Sequence, residues 1–307
     1  MQRLKKFFSL GSICLTVILL CTTTTPAFVY ASNPSAVQEN QNIEQLIKID
    51  LETGEETIVD LPSISTISEI ERNSSASSEP SLNTVYDDDN RTVISNTTVS
   101  PYYGITYLNV TFTNNKTYRG TAFMISPNVM LTAGHNLYES GYKVSNITAY
   151  PGRNGSSKPL TATAKTFYLD TKYTGTQENL DYGIIILDKN IGNTTGWFGL
   201  HATTSSSSIG TSKITVTGYP SDLVGYKMWK DTGTVSSVTD YRFKHNADTY
   251  KGNSGSPTYA YSSSYGNQVY GIHTHGGNYS RRITMSLFDW LESEGFIQWK
   301  KRFLLSS

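Results

Sequence analysis

Short apolar runs separated by turn-forming residues dominate the chain beyond residue 84. Leu108, Val110 and Phe112 alternate with polar residues, which is the pattern of a strand with one buried face. Further apolar runs between clusters of Gly, Asn and Ser predict strands over 121–126, 129–133, 182–187, 214–219 and 269–273. The pattern therefore predicts a mostly β protein.

One segment near the C-terminus has helical periodicity instead. Leu287, Phe288 and Leu291 recur at helical spacing and predict a closing helix over 285–303. Many short strands without intervening helices favour sandwiches or barrels, and a stretch of about 220 residues fits one large sandwich or two small barrels.

The first 31 residues have the parts of an export signal. Three basic residues precede the apolar run 7–21, and Val29-Tyr30-Ala31 offers a cleavage site before Ser32. We therefore expect a secreted, extracellular protein with no membrane association after signal removal. The alternative, an uncleaved anchor, is disfavoured because polar residues 22–25 follow at once and no later run has membrane length.

Residues 32–83 differ in composition from the rest of the chain. They carry two basic and ten acidic residues, a formal charge of −8, and no aromatic residue. From residue 84 onwards, 20 basic and 15 acidic residues give a charge of +5. An acidic segment between a signal and a basic, aromatic-rich body predicts a propeptide. A solvated linker or tail remains the alternative reading of the same composition.

Cysteine usage and total charge exclude several classes of protein. Both cysteines, Cys14 and Cys21, lie within the signal, so the body has neither disulfides nor thiolate metal sites. The 25 Lys and Arg residues balance 25 Asp and Glu residues across the chain. This balance removes the argument for a strongly basic nucleic-acid binder.

Three short motifs carry candidate chemistry. Glycines flank Ser254 in the segment 252–257, where a tight turn can expose the hydroxyl and converge backbone N–H groups. His135 follows the apolar run 129–133, and Asp181 precedes the apolar run 182–187. Taken singly, each has a structural reading: a Ser/Gly-rich turn, a structural histidine and a turn-capping aspartate.

Together, in the order His, Asp, Ser, these motifs resemble the chymotrypsin-like serine peptidases. The chain more closely resembles the secreted bacterial glutamyl endopeptidases, through segments 89–92, 151–155, 191–194, 215–220, 252–257 and 271–273. The resemblance implies an all-β fold of two six-stranded antiparallel β-barrels of chymotrypsin type, with the active site between them and a C-terminal helix. The first barrel would span 84–200 and the second 201–307.

The resemblance also implies roles for individual residues. His135 would act as general base and Asp181 would orient it, while Ser254 would be the nucleophile. The N–H groups of Gly252 and Ser254 would form the oxyanion hole, and no cofactor or metal is implied. Several relatives carry a disulfide near the catalytic histidine; Asn136 and Gly120 occupy those places here.

Four residues are candidates for binding a substrate carboxylate. The resemblance places His273 and Thr249 in the pocket, Thr84 at the new N-terminus and Lys251 at the rim. Taken singly, His273 and Thr249 also fit structural roles, and the favoured interpretation of Lys251 is a solvated surface lysine. It therefore implies protein or peptide substrates with Glu at P1 and Asp as a poorer choice. It also implies a zymogen cut near Thr84 by an activating protease. Monomer is the expected oligomeric state.

Two other functions remain open at this point. One is the same fold with an altered P1 preference, and the other is a catalytically silent relative that acts as a surface-binding module. His201, His245 and His275 are interpreted as surface or structural residues. The run Asp87-Asp88-Asp89 is interpreted as a solvated turn because it lacks the spacing of a calcium loop.

Overall fold

The computed structural model describes residues 44–61, 85, 88–203, 209–210, 212–274 and 277–297. The predicted export signal 1–31 and the predicted new N-terminus at Thr84 lie outside these residues. The described strands are β1 Gln45–Asp50, β2 Glu56–Asp60, β3 Thr92–Val93, β4 Ile105–Phe112, β5 Thr117–Met124, β6 Val129–Thr132, β7 Tyr138–Glu139, β8 Tyr142–Pro151, β9 Ala162–Asp170, β10 Gly183–Leu187, β11 Gly199–Leu200, β12 Lys213–Gly218, β13 Trp229–Val238, β14 Arg242–His245, β15 Pro257–Ser262, β16 Gly266–His273 and β17 Tyr279–Arg282. The described helices are α1 Gly192–Thr195 and α2 Met285–Ser293, with short 3-10 turns at Tyr102–Gly104, Gly134–Asn136 and Glu178–Leu180.

The first barrel has six antiparallel strands in the order β9-β10-β6-β5-β4-β8. Pairing of Thr148 with Thr163 and of Ala149 with Ala162 joins β8 back to β9 and closes it. The alternating positions 108, 110 and 112 of β4 are all buried, as a half-buried strand requires. The strands predicted over 121–126 and 129–133 are confirmed as β5 and β6.

The second barrel has its six strands in the order β16-β15-β12-β13-β14-β17, and pairing of β16 with β17 closes it. β3, from the stretch before the first barrel, pairs with β13. β11 adds in parallel to β16. The predicted fold class of two six-stranded antiparallel barrels is therefore confirmed.

The C-terminal helix is shorter than predicted. The sequence pattern predicts a helix over 285–303, but α2 ends at Ser293 and the described chain continues only to residue 297. Gly295 has φ +70°, and the N–H of Phe296 donates to the carbonyl oxygen of Leu291 at 2.9 Å. A left-handed glycine satisfies the last carbonyls of a helix and stops it.

The acidic segment contributes a hairpin that the sequence pattern does not predict. β1 and β2 pair with each other, and β1 also pairs with β9, which extends the first barrel's sheet to the order β2-β1-β9. The side chain of Asp50 accepts hydrogen bonds from the N–H groups of Glu52 and Thr53 and shapes the hairpin turn. These contacts lower the pKa of Asp50.

Two arginines of the second barrel, buried Arg281 and partly buried Arg242, contact the first barrel beside Asp181. Arg281 donates to the carbonyl oxygen of Asn179, and its guanidinium carbon lies 4.8 Å from the Tyr182 ring centroid. Arg242 forms an ion pair with Glu178. These contacts tie the segment that ends at Asp181 to the opposite barrel. Within the described residues, the helices are all too short or too polar to span a bilayer.

Candidate active site

His135 lies at the end of a buried strand of the first barrel. β6 ends at Thr132, and a 3-10 turn over Gly134–Asn136 redirects the chain so that His135 faces Asp181. Its Nδ1 lies 2.8 Å from Oδ2 and 3.1 Å from Oδ1 of Asp181. The backbone N–H of His135 also donates to Oδ1, at 2.9 Å. Asp181 therefore holds His135 through both its imidazole and its backbone N–H.

The Asp181 carboxylate is completely buried and receives a further hydrogen bond. The hydroxyl of Tyr173 donates to its Oδ1 at 3.2 Å. Burial raises the pKa of Tyr173, and the charge of Asp181 raises it further, so the hydroxyl stays protonated and keeps its donor role. Sequence reasoning missed Tyr173 because no motif marks it.

Two opposing effects act on the pKa of His135. Burial favours the neutral imidazole, whereas the charge of Asp181 and its hydrogen bond favour the imidazolium. The carboxylate outweighs burial and raises the pKa of His135 above its ordinary value of 6.5. The pair is therefore a base that binds a proton more readily than a free imidazole does.

The loop that carries Ser254 is a tight turn between β14 and β15. Gly252 and Gly255 have φ of +94° and +87°, the left-handed region that favours glycine. The N–H of Asn253 donates to the carbonyl oxygen of Tyr250 at 3.0 Å, and the N–H of Gly255 donates to that of His273 at 2.7 Å. The predicted tight turn is present.

Within the described part of the chain, the backbone N–H groups of Gly252 and Ser254 are not hydrogen-bonded to any acceptor. The intervening N–H, on Asn253, is used inside the turn. Two N–H groups next to the predicted nucleophile are thus available to an incoming oxygen.

The nucleophile loop is fixed to the first barrel through Ser254 and Gly252. The carbonyl oxygen of Ser254 accepts hydrogen bonds from the N–H of Thr121 and from the side-chain amide of Asn136, each at 2.9 Å. The hydroxyl of Thr121 donates to the carbonyl oxygen of Gly252 at 2.7 Å. Because Asn136 directly follows His135, these bonds bring the loop of Ser254 to the predicted base.

Asn136 fills the place that the resemblance assigns to a disulfide in relatives. A Cβ atom on Gly120 would lie 2.6 Å from the amide of Asn136, so the two positions are in direct contact. Asn136 also donates to the hydroxyl of Thr132 at 2.9 Å. A hydrogen-bonded amide connects the barrels here, and sequence reasoning did not assign that role to Asn136 or Thr121.

Two predicted pocket residues lie buried in the second barrel beside the nucleophile loop. His273 is buried, and its N–H donates to the carbonyl oxygen of Ser256 at 2.8 Å. Thr249 is buried and donates its hydroxyl proton to Oδ1 of Asn278. The amide nitrogen of Asn278 donates to Ala247, which fixes which of its side-chain atoms accepts. Asn278 was not predicted.

His245 is fully buried, which fits the structural and not the surface alternative of its interpretation. Its ring centroid lies 5.5 Å from that of His273, behind the predicted pocket histidine. Burial lowers the pKa of His245 to about 3, which keeps the imidazole neutral. The apolar spacing of β14, with Phe243 also buried, was the available signal.

Lys251 and the N-terminal stretch lie on the outer side of this region. Lys251 is exposed, which fits a pocket rim and a solvated surface lysine equally well. The N–H of Asn90 donates to Oδ2 of Asp248 at 3.0 Å, next to Thr249. The chain at residue 90 therefore lies beside the predicted pocket wall, and Thr84, the predicted new N-terminus, is outside the described residues.

The remaining candidates have local partners. His201 is partly buried and stacks on Tyr270 at 4.3 Å between ring centroids. Asp89 forms an ion pair with Arg91 at 2.8 Å. His275 and Asp87 are outside the described residues. The side chains that the structure describes include no group of three or more His, Cys, Asp or Glu residues able to hold a metal.

Comparison with known proteins identifies the family. The family model described as Trypsin matches residues 94–288. The chain is 41% identical over 208 residues to an "Extracellular metalloprotease" of Bacillus subtilis, covering 66% of each chain. It is 36% identical over 232 residues to a "Glutamyl endopeptidase" of Bacillus licheniformis, covering 71% of each chain. A solved "Glu endopeptidase in complex with MPD" is 29% identical with a TM-score of 0.61, over 69% of this chain and 99% of that chain.

One of these relatives is named for metal chemistry, whereas the family model and the other two point to a serine peptidase. The residues agree with the latter, since His135 is paired to Asp181 beside a glycine-flanked serine loop. The chain belongs to the trypsin family of chymotrypsin-fold hydrolases, is a serine endopeptidase, and is similar to the glutamyl endopeptidases.

Proposed function

We propose that this protein is a secreted endopeptidase that cleaves peptide bonds after Glu, with Asp accepted less well, and that it is made as a precursor. The observation that carries the catalytic part is the His135–Asp181 pair, held beside the loop of Ser254 by Asn136. Such an enzyme acts on proteins or peptides and needs no cofactor.

Catalysis would follow the acyl-enzyme route. Neutral His135 accepts the Ser254 hydroxyl proton as Oγ forms a bond to the scissile carbonyl carbon. The resulting imidazolium gives this proton to the leaving amine as the peptide C–N bond breaks. Water then attacks the acyl-enzyme by the same proton transfers and regenerates the Ser254 hydroxyl. Asp181 fixes the tautomer of His135 and stabilises its charged form.

The N–H groups of Gly252 and Ser254 would bind the oxyanion of each tetrahedral intermediate. Removing one such donor lowers kcat by about 10²–10³ in comparable enzymes. The proposal is supported by the left-handed conformation of Gly252, which orients this turn, and by the absence of intramolecular acceptors for either N–H within the described residues.

Selection of Glu would come from polar groups that meet the buried carboxylate. Burial of an unpaired carboxylate is strongly unfavourable, so a P1 pocket for Glu needs donors. His273 and Thr249 are buried beside the nucleophile loop, and neutral His245 lies behind His273. To bind substrate, the Thr249 hydroxyl must turn from Asn278 towards the carboxylate. Lys251 would add a positive charge at the rim.

Processing near Thr84 would complete the pocket by releasing an α-amino group. The hydrogen bond from Asn90 to Asp248 supports this proposal because it holds residue 90 beside the residue that precedes Thr249. An activating protease would make the cut, and the export signal 1–31 would deliver the precursor outside the cell.

Two measurements test the proposed function. A fluorophosphonate probe should label the wild-type enzyme and not Ser254→Ala; absence of labelling in the wild type would favour a silent surface-binding relative. Peptides that differ only in Glu or Gln at P1 test selectivity. We expect strong preference for Glu, and equal turnover would indicate an altered pocket with the triad intact.

A threonine pair refines the specificity test. Thr249→Val should lower the ratio of kcat/KM for Glu over Gln peptides, because one donor to the carboxylate is lost. Thr258→Val is the matched control, since Thr258 is also buried in the second barrel and hydrogen-bonded, to Ser280 at 2.6 Å. An equal change of the ratio in both variants would refute a pocket role for Thr249.

A further inference from the structure

The hairpin formed by residues 44–61 occupies a strand edge that barrel closure leaves open. Strand β9 extends beyond its pairing with β8, the strand that closes the barrel. Positions 162 and 163 pair with β8, whereas positions 166–170 lie beyond that pairing. Along this extension β10 lies on one side and β1 on the other, in register from Asp50 opposite Thr166 to Leu46 opposite Asp170. Without the hairpin, β9 would present an unpaired edge over these positions.

Backbone hydrogen bonds continue past both ends of this pairing. The N–H of Thr171 donates to the carbonyl oxygen of Gln45 at 2.9 Å, and the N–H of Leu51 donates to that of Lys165 at 2.8 Å. The hairpin is therefore bound as an added strand along the whole extension, which is the β-augmentation mode of peptide recognition.

Side chains on both faces of β1 join the cores of the body. Leu46 is fully buried in the cluster that contains Tyr168 and Trp290, and Leu61, directly after the hairpin, is buried there too. Ile49 faces the other way, opposite Phe167, and is buried in the interior cluster of the first barrel. An acidic segment without aromatic residues thus fills apolar sites on the barrel.

Charge also favours this partner. The hairpin belongs to a segment with a formal charge of −8, and the body has +5. Glu56 of β2 forms an ion pair with Lys143 of β8, beside the extension of β9. Long-range attraction between opposite charges favours association, and the ion pair adds a specific contact at the edge.

The covered strand leads directly to the catalytic aspartate. β9 ends at Asp170, the following turn carries Tyr173, and Tyr173 donates to Asp181. On its other side β9 pairs with β10, which begins two residues after Asp181. Ordering of β9 by the hairpin therefore orders two elements that hold Asp181.

We propose that residues 44–61 are a separable β-strand ligand of the first barrel, which stays bound after the chain is cut before the body and acts in trans as a template for folding β9. The proposal rests on the processing near Thr84 proposed above, but the interaction itself does not depend on where the natural cut occurs. The partner is this chain's own acidic segment.

The test uses the full chain after signal removal, in a Ser254→Ala background, with a specific protease site introduced within 62–83. After cleavage at that site, the fragment should co-elute with the body in size-exclusion chromatography and appear as a 1:1 complex by native mass spectrometry. A wild-type fragment that elutes separately would overturn the proposal. The result is independent of peptidase activity and of P1 preference.

Two aspartate substitutions at buried hairpin positions, Leu46→Asp and Ile49→Asp, should release the fragment after cutting. Ile58→Asp, at a β2 position that is 51% exposed, is the matched control and should leave it bound. Retention in all three variants would overturn the proposal, because the apolar contacts would not be needed.

A refolding experiment with the wild-type body tests the proposal even where the aspartate variants do not fold. The cut wild-type protein is denatured, the two pieces are separated, and the body is refolded with or without a synthetic peptide of residues 44–61. We expect the peptide to raise the yield of folded body several-fold, and the same peptide with Lys48→Pro, which cannot pair as a strand, to lack this effect. Equal yields with and without the wild-type peptide would contradict a template role.

Discussion

The side-chain amide of Asn136 donates a 2.9 Å hydrogen bond to the carbonyl oxygen of Ser254. This bond crosses from the first barrel to the second and joins the residue after the predicted base to the predicted nucleophile. Thr121 supplies a second bond to the same oxygen. The relative position of base and nucleophile is therefore set by two hydrogen bonds to one carbonyl group.

Loss of the Asn136 amide should loosen this junction. In Asn136→Ala we expect the free energy of unfolding to fall by about 1–3 kcal/mol, since a buried acceptor loses a partner. We also expect kcat/KM to fall about tenfold, which corresponds to about 1.4 kcal/mol of transition-state stabilisation. Urea unfolding and peptide kinetics measure both, with the exposed Asn146→Ala as control. A stability loss without any change in kcat/KM would show that the bond does not position the nucleophile.

Activity and the stability contributed by His135 should change in opposite directions with pH. Asp181 raises the pKa of His135 above 6.5. As pH drops through that raised pKa, we expect the predicted catalytic base to become protonated and kcat/KM to fall. The stability contributed by the charged pair is fully present below pH 6.5 and is lost as pH rises through the folded pKa.

The pH profile of kcat/KM and an NMR titration of the imidazole check this prediction. In Asp181→Asn the titration should move to lower pH, because burial then acts without the opposing carboxylate. The rate should fall by about 10⁴ through the wrong tautomer. An unchanged His135 titration in Asp181→Asn would contradict the assigned cause of the shift.

Tyr173 should act as a positioning residue through Asp181. In Tyr173→Phe the carboxylate loses one donor, becomes a stronger acceptor for His135, and should raise the pKa of the imidazole. The acid limb of the kcat/KM profile should therefore move to higher pH, together with a lower kcat. Tyr261→Phe, at a position that is 74% exposed, should leave the profile unchanged. A purely structural role for Tyr173 would lower stability without moving the acid limb.

Gly255 should tolerate no side chain. In Gly255→Ala the new Cβ would lie 2.0 Å from the carbonyl oxygen of Thr121, and φ is +87°. In Gly266→Ala the φ of +71° is similar but no atom lies within 4 Å. We expect Gly266→Ala to lower the free energy of unfolding by about 1–2 kcal/mol from backbone strain. Gly255→Ala should lose more stability and nearly all activity, as thermal unfolding and turnover will show. Equal losses of stability in the two variants would mean that the structure shifts to relieve the contact between the new Cβ and Thr121.

Within single elements, local pattern determined the outcome. The alternation at 108, 110 and 112 predicted β4 because a strand's side chains alternate between core and solvent. The end of α2 was missed even though Gly295, a usual stop signal, was present in the sequence. The spacing of apolar residues indicates a helix but does not locate its end, which Gly295 determines.

The sequence by itself determined which residues could carry chemistry: a histidine after a buried strand, an aspartate before another, and a serine between glycines. Only the tertiary structure decided that Tyr173 bonds to Asp181, that Asn136 holds Ser254, that His245 lies behind His273, and that β1 pairs with β9. Each of these contacts joins residues of different segments through strand pairing, barrel closure or packing of one barrel against the other. Local periodicity predicts whether a side chain points into the core. The residue that it contacts there depends on how strands distant in sequence align.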